Sequence, residues 1–250
     1  MFFTWNETTR RYLAEASENT GYDRALAAHL LPLLQGTSLC DLGCGLGLVD
    51  LELAPTRTEV FCADLSAYAV ESLRTAAAER GIGNLTARCA DARTLPGTWD
   101  TVMALFSCEH NDDLPAFFRR ARQRFLMVTR SDAEGNTGPL GYRVRKENDR
   151  VSAERYLRAH GFRFSVEEDA LEYGQPHRSL ADALEYTRTF SHAAPPELLE
   201  AHVRRTVMET GRADFPYYTP KTRHFAIFIL DRAENEAALQ AAQSIKADAL

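Results

Sequence analysis

Short apolar runs alternate with amphipathic stretches through the first half of the chain. The short runs predict buried strands, and apolar residues spaced three and four apart predict helices between them. Repeated strand–helix order predicts a parallel sheet with right-handed crossovers. The predicted strands are residues 39–42, 59–64, 85–90, 101–105 and 125–129, and the helices among them are 48–54, 68–80 and 114–122.

The regions on either side of this repeat are organised differently. Residues 5–35 predict two helices separated near Gly21, and Pro32 predicts an early end to the second. In the second half, the pattern predicts helices at 152–160, 179–190 and 195–209 and strands at 162–166 and 223–230. We therefore expect one domain over 1–250, with N-terminal helices at 1–36, a helical cap or substrate lid at 172–222, inserted before the last strand, and a C-terminal helical tail at 233–250. The tail is either a docked helix or a dimer contact.

The loop after the first predicted strand holds three alternating glycines. Gly43, Gly45 and Gly47 follow an apolar run, and Asp41 lies two residues before the first of them. Glycine allows a backbone with positive φ and lets a ligand approach the chain closely. A strand, a glycine turn and a helix predict a cradle for a nucleotide-containing cofactor.

Two further aspartates follow the next predicted strands. Asp64 ends the second strand, 17 residues beyond Gly47, and could accept hydrogen bonds from ribose hydroxyls. Asp91 follows the third strand and could accept one from an adenine amine. Each could equally be a helix cap. NAD and adenosine-type cofactors both use such a carboxylate, but the Gly-x-Gly-x-Gly spacing, with Leu48 where a dinucleotide fold has its last glycine, argues against NAD.

In order and spacing, four motifs resemble those of the class I S-adenosylmethionine-dependent methyltransferases. They are DLGCGLG at 41–47, ADLS at 63–66, CADA at 89–92 and WDTVMALFS at 99–107. The resemblance covers about residues 37–130 and the final strand at 224–230. It implies a Rossmann-like, doubly wound, mostly parallel α/β sheet of seven strands in the order 3-2-1-4-5-7-6, with the last strand antiparallel.

The resemblance also implies where S-adenosylmethionine lies. The methionine part would be held by Asp41 and the glycine loop, the ribose by Asp64, and the adenine by the residues after strands 2 and 3. The end of strand 4 would lie near the sulfonium, and the N-terminal helices would cover the cofactor, with an arginine meeting its carboxylate. The implied residues are Asp41, Gly43, Cys44, Gly45, Gly47, Asp64, Leu65, Asp91, Ala92, Leu105, Phe106, Ser107, Tyr12 and Tyr22. The two tyrosines could equally be packing residues.

The implied reaction transfers a methyl group to an O, N, S or C atom, and the family has no universal catalytic residue. His110, just after strand 4, is our candidate general base because the pKa of histidine lies near neutrality. Glu109 is a second candidate for the site, and either residue could be merely exposed or capping. Weaker candidates in or near the cap are His177, Tyr142, Tyr217, Tyr218 and His224.

Charge and missing motifs bear on the acceptor. The net charge is −6 and the estimated pI is about 5.7, which argues against general binding to nucleic acid or anionic membranes. The arginines at 119, 120, 122 and 124 lie on a predicted helix and its exit, where a solvated face is the simpler interpretation. The motifs of amino-group and cytosine-C5 methyltransferases are missing after strand 4, so we expect a small-molecule acceptor.

The remaining features concern location and metals. The sequence has no apolar run of 18 residues and no signal-peptide pattern at its start. All five cysteines precede residue 109, which argues against a disulfide framework and favours small buried side chains. Cys40 and Cys44 lack the further cysteine that an iron–sulfur site would need nearby.

We therefore expect a cytoplasmic methyltransferase, monomeric or homodimeric, that binds no metal, nucleic acid or membrane. Two alternatives stay open at this point. One is a non-enzymatic S-adenosylmethionine-binding or regulatory protein, and the other is an NAD-dependent oxidoreductase.

Overall fold

The computed structural model describes residues 3–109, 113–131, 137–144 and 148–247, the last five as helix backbone only. The chain divides into two compact units, each described here by itself. The sheet unit comprises Asp23–Ser131, Asn148–Asp169 and Phe225–Leu250. The accessory unit comprises Met1–Tyr22, Asp132–Glu147 and Ala170–His224.

Two helices precede the first strand, and from residue 38 to 130 strands alternate with helices except that the third and fourth strands follow each other directly. The helices are α1 (Glu7–Thr20), α2 (Tyr22–Leu30), α3 (Leu48–Leu53), α4 (Ala67–Glu79), α5 (Leu114–Phe118), α6 (Arg150–Ala159), α7 (Leu180–Thr189), α8 (Pro196–Thr206) and α9 (Arg232–Ala247). The strands are β1 (Ser38–Leu42), β2 (Glu59–Asp64), β3 (Leu85–Cys89), β4 (Trp99–Leu105), β5 (Ala121–Arg130), β6 (Ser165–Glu172), β7 (Gln175–His177), β8 (Met208–Glu209), β9 (Tyr217–Thr219) and β10 (Thr222–Asp231). Two 3-10 turns, Leu31–Leu33 and Ala54–Thr56, follow α2 and α3.

Seven strands form the main sheet, in the order β3-β2-β1-β4-β5-β10-β6. Strands β1 to β5 pair in parallel, and β10 is antiparallel to β5. This confirms the fold class and the predicted strand order, including the antiparallel last strand. Every residue of β1 is buried, as expected for a central strand covered on both faces.

Sequence patterns placed α5 and β5 wrongly. The predicted helix 114–122 is only Leu114–Phe118, and β5 begins at Ala121 rather than Phe125. The side chains of residues 121–124 are only partly apolar, so their hydrophobic pattern did not indicate a strand. The strand predicted at 162–166 lies at Ser165–Glu172, and the three short strands β7, β8 and β9 were not predicted at all.

Three arginines of the 119–124 run are engaged within the sheet unit. Arg120 donates to the carbonyl oxygen of Leu95 at 2.7 Å. Arg122 pairs with Asp100 at 3.0 Å, and Arg124 pairs with Asp231 at 2.7 Å. These guanidinium groups therefore hold strands and loops together.

The ends of the sheet unit are pinned by single side chains. Helix α2 ends at Leu30, just before Pro32, which confirms the predicted early end. Helix α9 is docked through Asn235, which exchanges hydrogen bonds with the backbone of Arg163 at 2.7 and 2.9 Å, and through buried Leu239. The tail helix thus packs on its own unit from Asn235 to Leu239.

The accessory unit has an aromatic core and a partly buried ion pair. Helices α1, α7 and α8 belong to it, together with the antiparallel sheet β7-β9-β8. Tyr12 is fully buried against Tyr186 and Phe190. The Tyr12 hydroxyl donates to Asp182 at 3.0 Å, and Arg11 pairs with the same carboxylate at 2.8 Å. The block predicted as a helical cap therefore contains strands as well as helices.

The cysteines are free thiols in different environments. Cys40, Cys62 and Cys108 are buried, Cys44 is partly buried and Cys89 is exposed. The expectation that all five are small buried side chains is wrong for Cys89, because β3 is an edge strand whose residues are mostly exposed. No helix in the described ranges is both long and apolar enough to cross a membrane.

Candidate functional site

The glycine turn after β1 is built from left-handed residues. Gly43, Gly45 and Gly47 have φ values of 81°, 55° and 60°. The N–H of Gly43 donates to the carbonyl oxygen of Ala63 at 2.7 Å, which ties the turn to the end of β2. Side chains other than glycine rarely adopt this conformation, so the alternating glycines follow from the shape of the turn.

Ser107, just after β4, packs directly on this turn. A Cβ atom added to Gly43 would lie 2.4 Å from the Cβ of Ser107. The Ser107 hydroxyl donates to the carbonyl oxygen of Leu42 at 2.6 Å. The carboxyl ends of β1 and β4 are therefore fastened to each other, and only glycine fits at position 43.

Asp64, at the end of β2, is held in place by two backbone groups. One carboxylate oxygen accepts a hydrogen bond from the N–H of Gly45 at 2.8 Å, and the other accepts one from the N–H of Ser66 at 2.8 Å. Ser66 caps α4 with its own hydroxyl. Each carboxylate oxygen keeps a lone pair for another donor. Asp64 is thus fixed against the glycine turn with acceptor capacity to spare.

The residues after β2 and β3 present one apolar and one acidic group. Leu65 is 56% exposed, although leucine side chains are usually buried. Asp91 is exposed and accepts a hydrogen bond from the N–H of Arg93 at 2.8 Å. The thiol of Cys89 donates to the carbonyl oxygen of Leu65 at 3.4 Å, which links the two loops.

Phe106 follows β4 in an unusual backbone conformation. Its φ is 58°, and it is the one described residue other than glycine with a positive φ. Its N–H still donates to the carbonyl oxygen of Val128 at 2.8 Å, so the conformation is held by the neighbouring strand β5. Bulky residues in this region carry strain, and such strain is concentrated at functional sites.

Comparison with known proteins supplies the family. Residues 39–125 match the model of a methyltransferase domain family. The matched residues extend from β1 to the first half of β5. The sheet also differs from the 3-2-1-4-5-6 order of dinucleotide-binding folds, because the antiparallel strand β10 lies between β5 and β6.

The chain is a class I S-adenosylmethionine-dependent methyltransferase. Its cofactor is S-adenosylmethionine, and the oxidoreductase and non-enzymatic alternatives are set aside.

Several solved structures share the methyltransferase fold. One is a protein described as a putative methyltransferase from Bacillus halodurans, at 14% identity and a TM-score of 0.55, covering 85% of this chain and 99% of that one. Another is the YcgJ protein of Bacillus subtilis, at 15% identity and a TM-score of 0.54, covering 83% and 98%. A third is magnesium protoporphyrin IX methyltransferase from Synechocystis PCC 6803 with bound SAH, at 16% identity and a TM-score of 0.52, covering 91% and 89%. Identities this low speak for the fold alone. Among curated protein sequences, no significant match to this chain was found.

In the methyltransferase, most of the site residues named from sequence lie at one end of the sheet. The carboxyl ends of β1 to β4 carry Asp41, Asp64, Ser107 and their neighbours, and Asp91 follows β3. Tyr12 and Tyr22 belong to the accessory unit, where both are buried. His110 lies outside the described residues. Glu109 is exposed, and its N–H donates to Asp113 at 2.9 Å.

The candidate residues of the accessory unit are mostly engaged in packing. His177 is fully buried, its Nε2 lies 2.7 Å from the Thr219 hydroxyl, and burial lowers its pKa to about 4. Tyr218 donates to Glu172, and its pKa is raised by burial and by that carboxylate. His177 is therefore neutral at physiological pH.

Two acidic residues near the site were missed from sequence. Asp50 is fully buried in the first turn of α3, next to Asp41, which is itself only 1% exposed. Asp113 is buried as well, and it binds Arg93 at 2.6 Å, joining the loops after β3 and β4. The available signal for Asp50 was its place between the apolar residues Val49 and Leu51 in LVDLEL at 48–53, the segment that follows the glycine turn.

The thiols beside the turn are poor nucleophiles. Burial raises the pKa of Cys40 and Cys62 well above the usual value for a thiol. The pKa of Cys44 is raised to about 11; the nearby thiol of Cys62 opposes this shift, while burial and the neighbouring acids produce it. The reactive form of cysteine is the thiolate, so no covalent chemistry is assigned to these residues. Among the described residues, no cluster of His, Cys, Asp or Glu is arranged to hold a metal ion.

Proposed function

We propose that this methyltransferase acts on a small-molecule acceptor and holds its cofactor at the carboxyl ends of β1 to β4. The observation that carries the proposal is Asp64, fixed by the N–H groups of Gly45 and Ser66. That tether gives the site a rigid acceptor beside a turn that a ligand can approach closely. Rigid placement lowers the entropy cost of binding.

The residues present fit S-adenosylmethionine in polarity and charge. Asp64 has spare acceptor capacity for ribose hydroxyls, and exposed Leu65 offers an apolar surface to the adenine. Asp91, with Ala92, would accept from the exocyclic amine. Asp41 and the loop formed by Gly43, Cys44, Gly45 and Gly47 would receive the methionine part. The cofactor is a cation at its sulfonium and at its ammonium, which suits an acidic site.

The chemistry divides between cofactor and chain. When bound, S-adenosylmethionine supplies a methyl group on a positive sulfur that a nucleophile displaces in line. The chain therefore needs chiefly to position the reactants and exclude water. Leu105, Phe106 and Ser107, at the end of β4, would line the reacting side of the site. The Phe106 N–H donates to Val128 and the Ser107 hydroxyl donates to Leu42, and these two hydrogen bonds keep that wall rigid.

A base is required only when the acceptor atom begins protonated. His110 remains our proposed base, and Glu109 the alternative. The proposed role of Tyr12 and Tyr22 in covering the cofactor remains as well. For both tyrosines, burial within the accessory unit supports packing at least as well as cofactor contact.

A small-molecule acceptor is supported by charge and by the use of the arginines. The chain carries a net charge of −6, and Arg120, Arg122 and Arg124 are engaged within the sheet unit rather than presented as a basic surface. Proteins that bind nucleic acid without sequence preference rely on such surfaces. Absence of nucleic-acid and membrane partners, a monomeric or homodimeric state, and a cytoplasmic location belong to the same proposal.

Calorimetry with S-adenosylhomocysteine tests the cofactor site. We expect the wild-type protein to bind it, and Asp64→Ala to weaken binding by on the order of 1–3 kcal/mol because charge-assisted hydrogen bonds are lost. Asp100→Asn is the matched control, since Asp100 lies near the start of β4 and should leave affinity unchanged. Equal affinity of Asp64→Ala and wild type would refute the assigned role.

The acceptor class has its own test. Transfer of a labelled methyl group is measured to a small-molecule extract, to total RNA and to DNA. Label in the small-molecule fraction alone supports the proposal, whereas label in RNA or DNA contradicts it. His110→Ala and Glu109→Ala are then compared over pH, because loss of a base removes the acidic limb of the rate profile.

A further inference from the structure

Two buried carboxyl groups lie together beside the glycine turn. Asp41 is 1% exposed near the end of β1, and Asp50 is fully buried in the first turn of α3. A hydrogen bond between their side chains is within reach, and Asp41 Oδ1 and both oxygens of Asp50 are buried with no other hydrogen-bond partner among the described residues. An ionised carboxylate can only accept, so this hydrogen bond requires a proton on one partner. A pair that keeps one proton would satisfy these buried oxygens and would carry a single negative charge.

The surroundings of the pair contain acids and thiols. Burial, and then the charge of Asp50, raise the pKa of Asp41, and burial raises that of Asp50. In the described part of the sheet unit, no arginine, lysine or histidine forms an ion pair with either carboxyl. The titratable groups that act on the pair, from β1, the glycine turn, β2 and α2, are Cys40, Cys44, Cys62, Asp64 and Asp23.

Such an arrangement is costly unless a cation completes it. A buried charge is normally paired, or else the group stays neutral by keeping its proton. The raised pKa values of Asp41 and Asp50, and the lack of an ion pair to either in the described residues, favour the second course. Asp41 lies two residues before Gly43, at the end of the sheet where the cofactor is proposed to bind. A ligand cation placed near this pair would favour its fully ionised form.

We propose that binding of the cofactor's ammonium group expels the proton shared by Asp41 and Asp50, and that Asp50 is a positioning residue that controls the charge of Asp41. The inference rests on the proposed cofactor site. One O–H bond breaks, and the proton passes to the buffer. The ammonium keeps its protons, and no electrons are transferred. The pair changes from one negative charge to two as the cation arrives.

Proton linkage makes this measurable without turnover. If binding releases a proton, affinity rises with pH until the ligand-free pair is itself fully ionised. The ligand cannot be the source, because its ammonium stays charged. The released proton is assigned to Asp41 and Asp50 rather than to Asp64. The Asp64 carboxylate accepts hydrogen bonds from two backbone N–H groups and shares none with the pair.

The experiment is calorimetry of S-adenosylhomocysteine binding in buffers of different ionisation enthalpy. The slope of the observed enthalpy against the buffer's ionisation enthalpy counts the protons released. We expect wild type to release a measurable fraction, up to about one proton per ligand near neutral pH. Asp50→Asn should bind without proton release, with affinity flat over the pH range in which that of wild type rises. Asp100→Asn should behave as wild type does.

Three outcomes decide the inference. Binding by wild type without proton release overturns it and leaves the proposed function standing. Unchanged proton release in Asp50→Asn also overturns it, because the proton then comes from another group. Failure of folded wild type to bind removes the proposed cofactor site and this inference together. If Asp50→Asn does not fold, Asp50→Ala takes its place, and the wild-type proton count remains decisive.

Discussion

The two ends of the main sheet treat acidic side chains in opposite ways. Near the start of β4, Asp100 accepts hydrogen bonds from the N–H groups of Thr37 and Ser38 at 2.9 and 3.0 Å, and it pairs with Arg122. Burial alone would raise the pKa of Asp100, but these donors lower it overall. At the carboxyl ends of the strands, Asp41 and Asp50 meet each other instead of a cation.

The contrast separates a structural carboxylate from one suited to a ligand. The Asp100 carboxylate already has its hydrogen-bond donors and its cation within the folded chain. It therefore contributes to stability and offers little to a ligand. Asp41 and Asp50 reduce the stability of the ligand-free protein at neutral pH, because folding must hold a proton or bury repelling charges. Parallel α/β sheets bind ligands at the carboxyl ends of their strands, where this incomplete pair lies.

The largest expected effect distinguishes two glycines at these ends. Gly36 has a φ of 66°, and a Cβ added to it would lie 2.3 Å from Asp100. Gly43 has a φ of 81°, and a Cβ added to it would lie 2.4 Å from Ser107. Strain and crowding predict that each change to alanine destabilises the protein by about 2–4 kcal/mol. Gly43→Ala should also weaken S-adenosylhomocysteine binding more than tenfold, whereas Gly36→Ala should bind normally at a temperature where it is folded.

Urea unfolding and calorimetry on the same samples check this pair. Gly81→Ala provides the baseline, because Gly81 has a φ of 67° with nothing within 4 Å of an added Cβ. It should cost about 1 kcal/mol, from backbone strain alone. If Gly36→Ala loses affinity as severely as Gly43→Ala, the two ends do not differ in function.

The second expected effect is on the pH dependence of the stability of the ligand-free protein, which should have opposite signs for the two groups of acids. Asp100 has a lowered folded pKa, so its contribution is present above the unfolded pKa of about 3.9 and is lost as pH falls further. Asp41 and Asp50 have raised folded pKa values, so the pair costs stability as pH rises from about 4 to neutrality. As pH rises from acid to neutral, the free energy of unfolding of Asp50→Asn should increase relative to wild type by on the order of 1 kcal/mol. As pH rises from about 2 to about 5, that of Asp100→Asn should decrease relative to wild type, because only wild type gains the contribution of the ionised Asp100.

Urea titrations of the three proteins across pH give both slopes. The experiment is informative because each variant is the other's control within one sheet. Parallel curves for Asp50→Asn and wild type would show that the buried pair does not titrate on folding.

Sequence reasoning succeeded where the local pattern is itself the cause of the structure. The strand Glu59–Asp64 was predicted residue for residue, and the helix predicted at 179–190 is found at Leu180–Thr189, with Ser179 as its N-cap. The glycine spacing at 43–47 likewise follows from backbone φ, which no other residue satisfies cheaply. These features depend on neighbours within a few residues.

Features that depend on distant partners were missed. The interaction of Asp41 with Asp50 is made across the glycine turn, between β1 and α3. The bond between Arg93 and Asp113 joins two loops, and these residues are 20 positions apart. The sequence around Asp50 does not indicate that Asp41 is its partner, and the sequence around Asp113 does not indicate Arg93. Arg122 gave the same difficulty, because only its place on β5 explains its contact with Asp100.

The smallest expected effect concerns the hydrogen bond by which Ser107, after β4, is held to the end of β1. Ser107→Ala removes the hydrogen bond from the Ser107 hydroxyl to Leu42 but keeps the Cβ that packs on Gly43. We expect a loss of about 1 kcal/mol in stability, and a fewfold weaker binding of S-adenosylhomocysteine because the end of β4 is less firmly held. Ser38→Ala is the control at the other end. It removes a hydroxyl that donates to the Asp100 carboxylate at 3.0 Å and accepts from the Asp100 N–H and from Arg122, both at 2.9 Å. It should cost more stability than Ser107→Ala, because more hydrogen bonds are lost, but no affinity. Equal affinity losses in both variants would mean that the two ends of the sheet do not act independently.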